Sequence, residues 1–410
     1  MSKSSKKVYL DYAATTPVDK EVMEAMLPFF CINYGNASSL HSFGQKSKEV
    51  VESSRTVIAK GLNMENREII FTSGATESNN LTIKGIFNAL SRHPNFSTKK
   101  LHFITSKIEH PCILDSMKYL EKTFKDLVEV TYLDVDEEGL VDLKDLERVI
   151  QKNTVLVSIM FVNNEIGTTE PIKKIGQLIK TIKNQRFKSH NKYPLYFHSD
   201  ATQAPSYYKL DTKDLNLDLI TINAHKIYGP KGVGVLGVKK NTIIEETSHG
   251  GGHEFKKRSG TLNVPGIVGL GKAFELAEKQ RKENVKKVRQ LQDYFINKIK
   301  SQIKDVGLNG STKHRTPNNI NFSFEGTEGE SVLLMLDQEG IAVSTGSACS
   351  SNSLEPSHVL LAIGKTHLQA HSSIRFTLGK FSTKKQLDYT VDKLKSIIEK
   401  LRKISKGVKF

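Results

Sequence analysis

Cysteine is scarce: Cys31, Cys112 and Cys349 are the only three in 410 residues. So few thiols, so far apart, exclude a disulfide framework and a thiolate metal site, and they read as reduced side chains. Long apolar runs are missing too, since no window approaches the roughly 18 uninterrupted apolar residues of a membrane span. The start, Met1 to Lys7 (MSKSSKK), leads into a strand-like segment without the apolar region of a signal peptide. The expected location is therefore the cytoplasm, with no membrane partner. No internal repeat or low-complexity linker interrupts the chain.

What is present in excess is positive charge, 60 Lys and Arg against 44 Asp and Glu, for a formal net charge of +16. Clustered on one face, such an excess would announce a nucleic-acid partner. Here the lysines are spread, and the densest stretch, Lys272 to Lys304, mixes them with Glu275, Glu278, Glu283 and apolar residues at helical spacing. That pattern is a solvated helix face, so direct nucleic-acid binding is not expected.

The length suits a large domain plus a smaller one. From about residue 20 to residue 262, short apolar runs alternate with helical patterns, as parallel strands joined by crossover helices do. The strands are expected at Glu68 to Thr72, Lys100 to Thr105, Glu129 to Leu133, Val155 to Phe161, Pro194 to His198, Leu217 to Ile222 and Gly232 to Val238. Helical stripes occupy Gln45 to Leu62 and Ile172 to Lys183. After Pro265 the texture changes to a long helix, Val268 to Gln302, then short strands at Asn319 to Ser323, Ala342 to Ser344 and Ser373 to Thr377, and a last helix from Thr383 to about Lys403. The fold class is α/β: a large domain over 16–262 with a mostly parallel seven-stranded sheet, and a smaller α+β domain from 1–15 and 263–410.

Several short patterns invite a chemical reading. Lys226 sits on a turn after the run Leu219 to Ile222, placed to point an amine into a cleft, and Asp200 ends the extended run Leu195 to His198. Phe71 to Glu77 (FTSGATE) follows a strand and opens a helix, where small residues let backbone N–H groups approach a phosphate; a plain capping box explains it equally well. Gly232, Gly234 and Gly237 match a dinucleotide-binding spacing, but no helix opens after them, and that reading is rejected. The pairs His249/His253 and His367/His371 have a zinc-like spacing; three glycines forbid a helix in the first and neither carries a zincin glutamate, so no metal is expected. Cys349 lies among Gly346, Ser347, Ala348, Ser350 and Ser351, a loop composition rather than an apolar wall. Cys112 reads as structural, and Cys31 has no supporting context. His110 ends another strand-to-helix connection, on the side where ligands of open α/β sheets collect.

Taken in order, these segments resemble a known family. Leu10 to Pro17 (LDYAATTP), Thr72 to Asn79 (TSGATESN), Val162 to Gly167 (VNNEIG), His198 to Gln203 (HSDATQ), His225 to Gly232 (HKIYGPKG), His249 to His253 (HGGGH), Arg258 to Thr261 (RSGT), Gly346 to Cys349 (GSAC) and Ser373 to Arg375 (SIR) are similar to the group I cysteine desulfurases of the NifS and IscS type. The match runs from about residue 8 to about residue 400.

The resemblance implies a fold-type I pyridoxal 5'-phosphate enzyme of the class V aminotransferase group, a homodimer that converts L-cysteine to L-alanine and an enzyme persulfide. The sulfur would pass to acceptor proteins, an iron-sulfur scaffold or a tRNA-thiolation enzyme. By motif position, Lys226 would be the Schiff-base lysine, Asp200 would pair with the pyridine nitrogen, Gln203 would bond the phenolic oxygen and His110 would stack on the ring. Ala75, Thr76 and His225 would hold the phosphate with Thr261 from the other subunit. Asn164 and Arg375 would receive the substrate carboxylate, and Cys349 would take the sulfur, with His110 as an acid-base group beside it. A free thiol titrates near about 8.5, so such help matters at neutral pH.

The pattern departs from the family at three places. Asn223, at the phosphate end, replaces a serine; Ala37 replaces a proline; and the chain stops at Ile404 to Phe410 (ISKGVKF), where scaffold-dependent members continue with an extra tail. The resemblance thus carries persulfide formation further than delivery to a scaffold. The same fold also hosts selenocysteine lyases and aminotransferases, and charge alone would suit a cofactor-less interaction protein.

Overall fold

The seven apolar runs expected between residues 68 and 238 form one sheet in the computed structural model, which describes residues 7–96, 99–345 and 355–407. In chain order the strands are β1 (Val8–Tyr9), β2 (Ile69–Thr72), β3 (Leu101–Ser106), β4 (Val128–Leu133), β5 (Thr154–Ser158), β6 (Tyr196–Asp200), β7 (Leu219–Asn223), β8 (Gly234–Val238), β9 (Val306–Leu308), β10 (Asn319–Phe324), β11 (Ile341–Ala342) and β12 (Ser373–Thr377). The large sheet has the order β2-β8-β7-β6-β5-β3-β4.

Every residue of β2, β3, β5, β6, β7 and β8 is buried, because helices cover both faces, and continuous apolar runs are the mark of such strands. The edge strand β4 alternates between buried and half-buried positions instead. Pairing is parallel from β4 through β3, β5 and β6 to β7. The sheet is mostly parallel, as expected, and the exception is β8, which runs antiparallel to both β7 and β2. The cause is the short connection 224–233, which cannot make a crossover of a dozen or more residues. No helix follows β8 directly, in keeping with the rejection of a dinucleotide motif there.

The remaining strands form two small sheets, an antiparallel β12-β10-β9 and a parallel β1-β11 pair. The long helix Val264–Gln302 runs through two cores. Leu270 and Phe274 pack with Leu62, Phe71 and Ile222, whereas Phe295 and Ile299 pack with Phe322, Phe376 and Leu394. Each fully buried side chain of this size contributes roughly 1.5–3 kcal/mol.

One connection matters most for the site. Because β1 is pinned to β11, the residues after it cross the carboxyl edge of the large sheet: the Ala13 N–H donates to Thr377 Oγ1 at 2.9 Å, and the Thr16 N–H to the His225 carbonyl at 2.9 Å. Among the described residues, no helix is long and apolar enough to cross a membrane.

Candidate active site

Strand ends bring the functional side chains together. Asp200 is the last residue of β6, Asn223 the last of β7, and Lys226 closes the single 3-10 turn that follows β7. His110 caps the helix Pro111–Thr123 after β3, and Ala75 begins the helix Ala75–Ser91 after β2. These four connections leave the same edge of the sheet, the edge at which open α/β sheets bind ligands.

They line a cavity of about 280 Å³ with Ala13, Ala14, Thr76, Cys112, Met160, Val162, Asn164, Thr202, Gln203, His225 and Arg375. Every site residue expected from the sequence lines it except two. Thr261 is exposed and outside the lining, and Cys349 lies outside the described residues. A larger groove of about 920 Å³, between Glu328, Leu368 and Ile404, has no comparable convergence of titratable groups from strand ends.

The Lys226 amine donates to the carbonyls of Ala13 and Ala14, at 2.5 and 2.7 Å, and the Gln203 amide donates to the Ala13 carbonyl at 3.0 Å. Asp200 accepts from the Asn79 amide at 2.7 Å and from the Thr202 N–H at 2.9 Å. His110 Nδ1 accepts from the Cys112 N–H at 3.2 Å, which puts the proton of a neutral ring on Nε2. Burial holds His110 below the usual imidazole range, assisted by the Lys226 cation and opposed by Asp200. His225 is drawn down to about 4, first by burial and then by Lys226 and Lys231, and its Nδ1 lies 3.1 Å from Thr15 Oγ1.

Cys112, set aside as structural, is part of this wall. Its sulfur lies 3.1 Å from both His110 Nδ1 and Asn79 Nδ2. Burial, with Asp200 adding to it, pushes the thiol up to about 12, so it stays protonated and is no nucleophile. Asn79, Thr202 and the Ala13 and Ala14 carbonyls had no chemical signal of their own in the sequence. All four stood only within blocks of resemblance.

At the opposite end of the cavity the turn from β2 into its helix depends on two glycines. Gly74 has φ of 152°, a region that favours glycine, and a Cβ on Gly234 would come within 2.8 Å of Gly74 Cα. The Asn223 amide nitrogen lies 3.6 Å from where a Gly74 Cβ would stand.

Comparison with known proteins now decides the family. The class-V aminotransferase family model matches residues 8–390. The chain belongs to that family. Its relatives include "Cysteine desulfurase IscS" of Dictyoglomus turgidum, 52% identical over 400 residues that cover 98% of this chain and 96% of the relative. "Cysteine desulfurase IscS" of Clostridium botulinum is 50% identical over 404 residues, covering 98% and 96%. Among solved structures, a "NifS-like protein" aligns with a TM-score of 0.86 at 34% identity, over 96% of this chain and 99% of that one. One titled "SspA in complex with cysteine" aligns at 0.77 and 35%, over 92% and 100%.

Class-V aminotransferases of this kind use pyridoxal phosphate, and the donor set of this family member fits it. Among the described residues, Asn79 Oδ1, Thr202 Oγ1, Asn223 Oδ1 and Arg375 Nε are buried without a hydrogen-bond partner, and all but Asn79 line the cavity. Backbone N–H groups at the start of the Ala75 helix, the Thr76 hydroxyl and the Asn223 amide suit a phosphate. A carboxylate at Asp200 suits a protonated ring nitrogen, and an amine at Lys226 suits an aldehyde.

Proposed function

We propose that this protein is a cysteine desulfurase: it takes the sulfur from L-cysteine, releases L-alanine and holds the sulfur as a persulfide on Cys349. The observation that carries this is the meeting of Lys226, Asp200, His110 and Arg375 in one cavity of a chain half identical to desulfurases along nearly its whole length.

Bound there, pyridoxal phosphate supplies an electron sink for charge that develops at the substrate Cα. Lys226 would be the residue that holds its aldehyde carbon, and its amine would be the base that moves the substrate Cα proton. Asp200 keeps the ring nitrogen protonated; its own orientation is set by Asn79 and the Thr202 N–H. Gln203 would bond the phenolic oxygen, and His110 would stack on the ring, with its Nε2–H available to the reacting groups. Ala75, Thr76, Asn223 and His225 would take the phosphate, joined by Thr261 of a second subunit.

Arg375 receives the substrate carboxylate beside Asn164. Its guanidinium is fixed from behind by Asp11 at 2.8 Å and by the Asn164 carbonyl at 3.1 Å, which leaves further donors of the fork for the ligand. The Cys349 thiolate attacks the substrate sulfur; the S–S bond forms as the C–S bond breaks, and the carbon fragment takes up protons to leave as alanine. Ser344, shortly before that cysteine, is bridged to Arg375, and Ser357, shortly after it, donates to Glu165 at 2.5 Å, so both flanks are tied to the walls of the site.

The working unit is a homodimer, supported by the exposed apolar side chains Leu27, Phe30, Ile32, Tyr34, Leu40 and Phe43 within one stretch of chain. Residues 16–262 act as the cofactor domain, with 1–15 and 263–410 as the smaller unit that carries Cys349. The reaction belongs in the cytoplasm, where Cys31 and Cys112, neither in a disulfide, stay reduced. Sulfur then passes to acceptor proteins for iron-sulfur cluster assembly or tRNA thiolation.

Purified protein should be yellow, Lys226→Ala should lose the colour, and Cys349→Ala should keep it while losing alanine and sulfide production from L-cysteine. Undiminished turnover in Cys349→Ala would refute the nucleophile.

A further inference from the structure

We propose that Arg258 and Glu77 form a charge-balancing pair for the phosphate end of the cavity. The guanidinium cancels a carboxylate that would otherwise oppose a phosphate dianion at the start of the Ala75–Ser91 helix. The inference rests on the reading that Ala75 and Thr76 hold the cofactor phosphate.

Glu77 stands in the first turn of that helix and reaches back, its Oε2 accepting from the Ser73 N–H at 2.6 Å. A lone carboxylate at a helix start is favourable, but a second anion placed there meets it as a like charge. Glu77 is ionised: burial raises its carboxyl, and hydrogen bonds from Arg258 and Ser73 outweigh that and hold it below the usual range. Arg258 Nε lies 2.9 Å from Glu77 Oε1, with both side chains 23% exposed. Arg258 and Glu77 both lie outside the cavity lining, Glu77 next in sequence to the lining residue Thr76, so Arg258 is a positioning residue acting through Glu77.

The approach of Arg258 is built into the chain. Glu254, Phe255 and Lys256 have φ of 44°, 56° and 60°, three consecutive left-handed residues without a glycine, an unfavourable backbone for L side chains. Glu254 holds this turn in place through a bidentate bond to Arg55, at 2.9 and 2.8 Å, and accepts from the Phe71 N–H at 2.7 Å. Arg55 in turn lies over the rings of Phe71 and Phe255. The N–H groups of Phe71 and Ser73, on either side of Thr72, are thus each taken by a carboxylate, and each carboxylate is paired with an arginine, Arg55 being shared between Glu254 and Glu52 and Arg258 facing Glu77. The exit of β2 is held by both pairs, and the one nearer the phosphate end is Arg258 with Glu77.

The test is a double-mutant cycle on the full-length holoenzyme, dialysed against graded pyridoxal phosphate and read by the absorption of bound cofactor. R258Q should bind pyridoxal phosphate roughly three- to tenfold more weakly, the range of a charge change at a helix start. R258K should stay near the starting affinity, E77Q should bind at least as tightly, and E77Q/R258Q should recover what R258Q lost. Pyridoxal, which lacks the phosphate, should bind R258Q and the unmodified protein alike. Equal affinity of R258Q and the unmodified protein for pyridoxal phosphate would overturn the pair, as would a double variant no better than R258Q or an equal defect towards pyridoxal. If R258Q does not fold, weaker binding by E77Q has the same force. An unmodified protein that takes up no pyridoxal phosphate would instead overturn the underlying reading.

Discussion

The Asn79 amide donates to the Asp200 carboxylate at 2.7 Å, joining the helix after β2 to the end of β6 with both side chains buried. Among the described residues the Asp200 carboxylate has one other hydrogen-bond donor, the Thr202 N–H. Asn79→Ala should therefore leave a buried carboxylate half satisfied. The expected cost is about 1.5–3 kcal/mol of stability, the range for hydrogen bonds to charged groups, with turnover down roughly tenfold as Asp200 loses its orientation. Urea unfolding and steady-state kinetics check the two effects separately.

Arg375 presents a planar fork whose Nε has no partner among the described residues, while Asp11 and the Asn164 carbonyl hold its other nitrogens. Lysine retains the charge and loses the fork. In Arg375→Lys the KM for L-cysteine should rise roughly 10- to 100-fold with a much smaller change in kcat. A fall in kcat at unchanged KM would argue against contact with the substrate carboxylate.

Glu170 is buried, with Oε2 accepting from the Val141 N–H at 3.1 Å and Oε1 unpartnered among the described residues. Burial pushes its carboxyl up from 4.5 to about 8. Between those values the folded chain keeps a proton that the unfolded chain has lost, so this group's contribution to stability falls as pH rises. Glu170→Gln does not titrate. Its stability relative to the unmodified protein should climb from about pH 5 to about pH 8, by at most ~1.4 kcal/mol per unit, and then level off. Denaturant midpoints across that range measure it. The histidines His102 and His225, drawn down to about 4, act in the opposite sense and cancel in the difference.

Ile32 and Leu40 are 71% and 91% exposed, and their apolar stretch is the expected dimer contact. Ile32→Asp combined with Leu40→Asp should raise the dimer dissociation constant at least roughly tenfold, since a buried charge without a partner is costly at an interface. Sedimentation at several concentrations reads this directly. An unmodified protein that sediments as a monomer throughout would contradict the dimer.

Local pattern was enough for most of the fold. Seven apolar runs flanked by turn residues became the seven strands of the large sheet, and the long helix and the final helix lie within a few residues of where their periodicity placed them, because burial on both faces of a sheet and on one stripe of a helix is written in nearest neighbours. The reversal of β8 followed from the short 224–233 link, a length visible in the chain but easily read as another crossover. The ordered blocks likewise singled out Lys226, Asp200 and Arg375, and a strand-to-helix connection singled out His110, all of them local features of the chain.

What needed the tertiary structure was contact between distant segments. The pairing of β1 with β11 and the bonds of Ala13 to Thr377 and Thr16 to His225 carry the Ala13 and Ala14 carbonyls to the Lys226 amine, more than 200 residues away. Only the packing of the Ala75 helix on the sheet sets Asn79 against Asp200 and Cys112, turning a thiol dismissed as structural into part of the cavity wall. Hydrogen bonds and charge pairing act over a few ångströms in space whatever the separation in sequence, so no local pattern of residue types announces them.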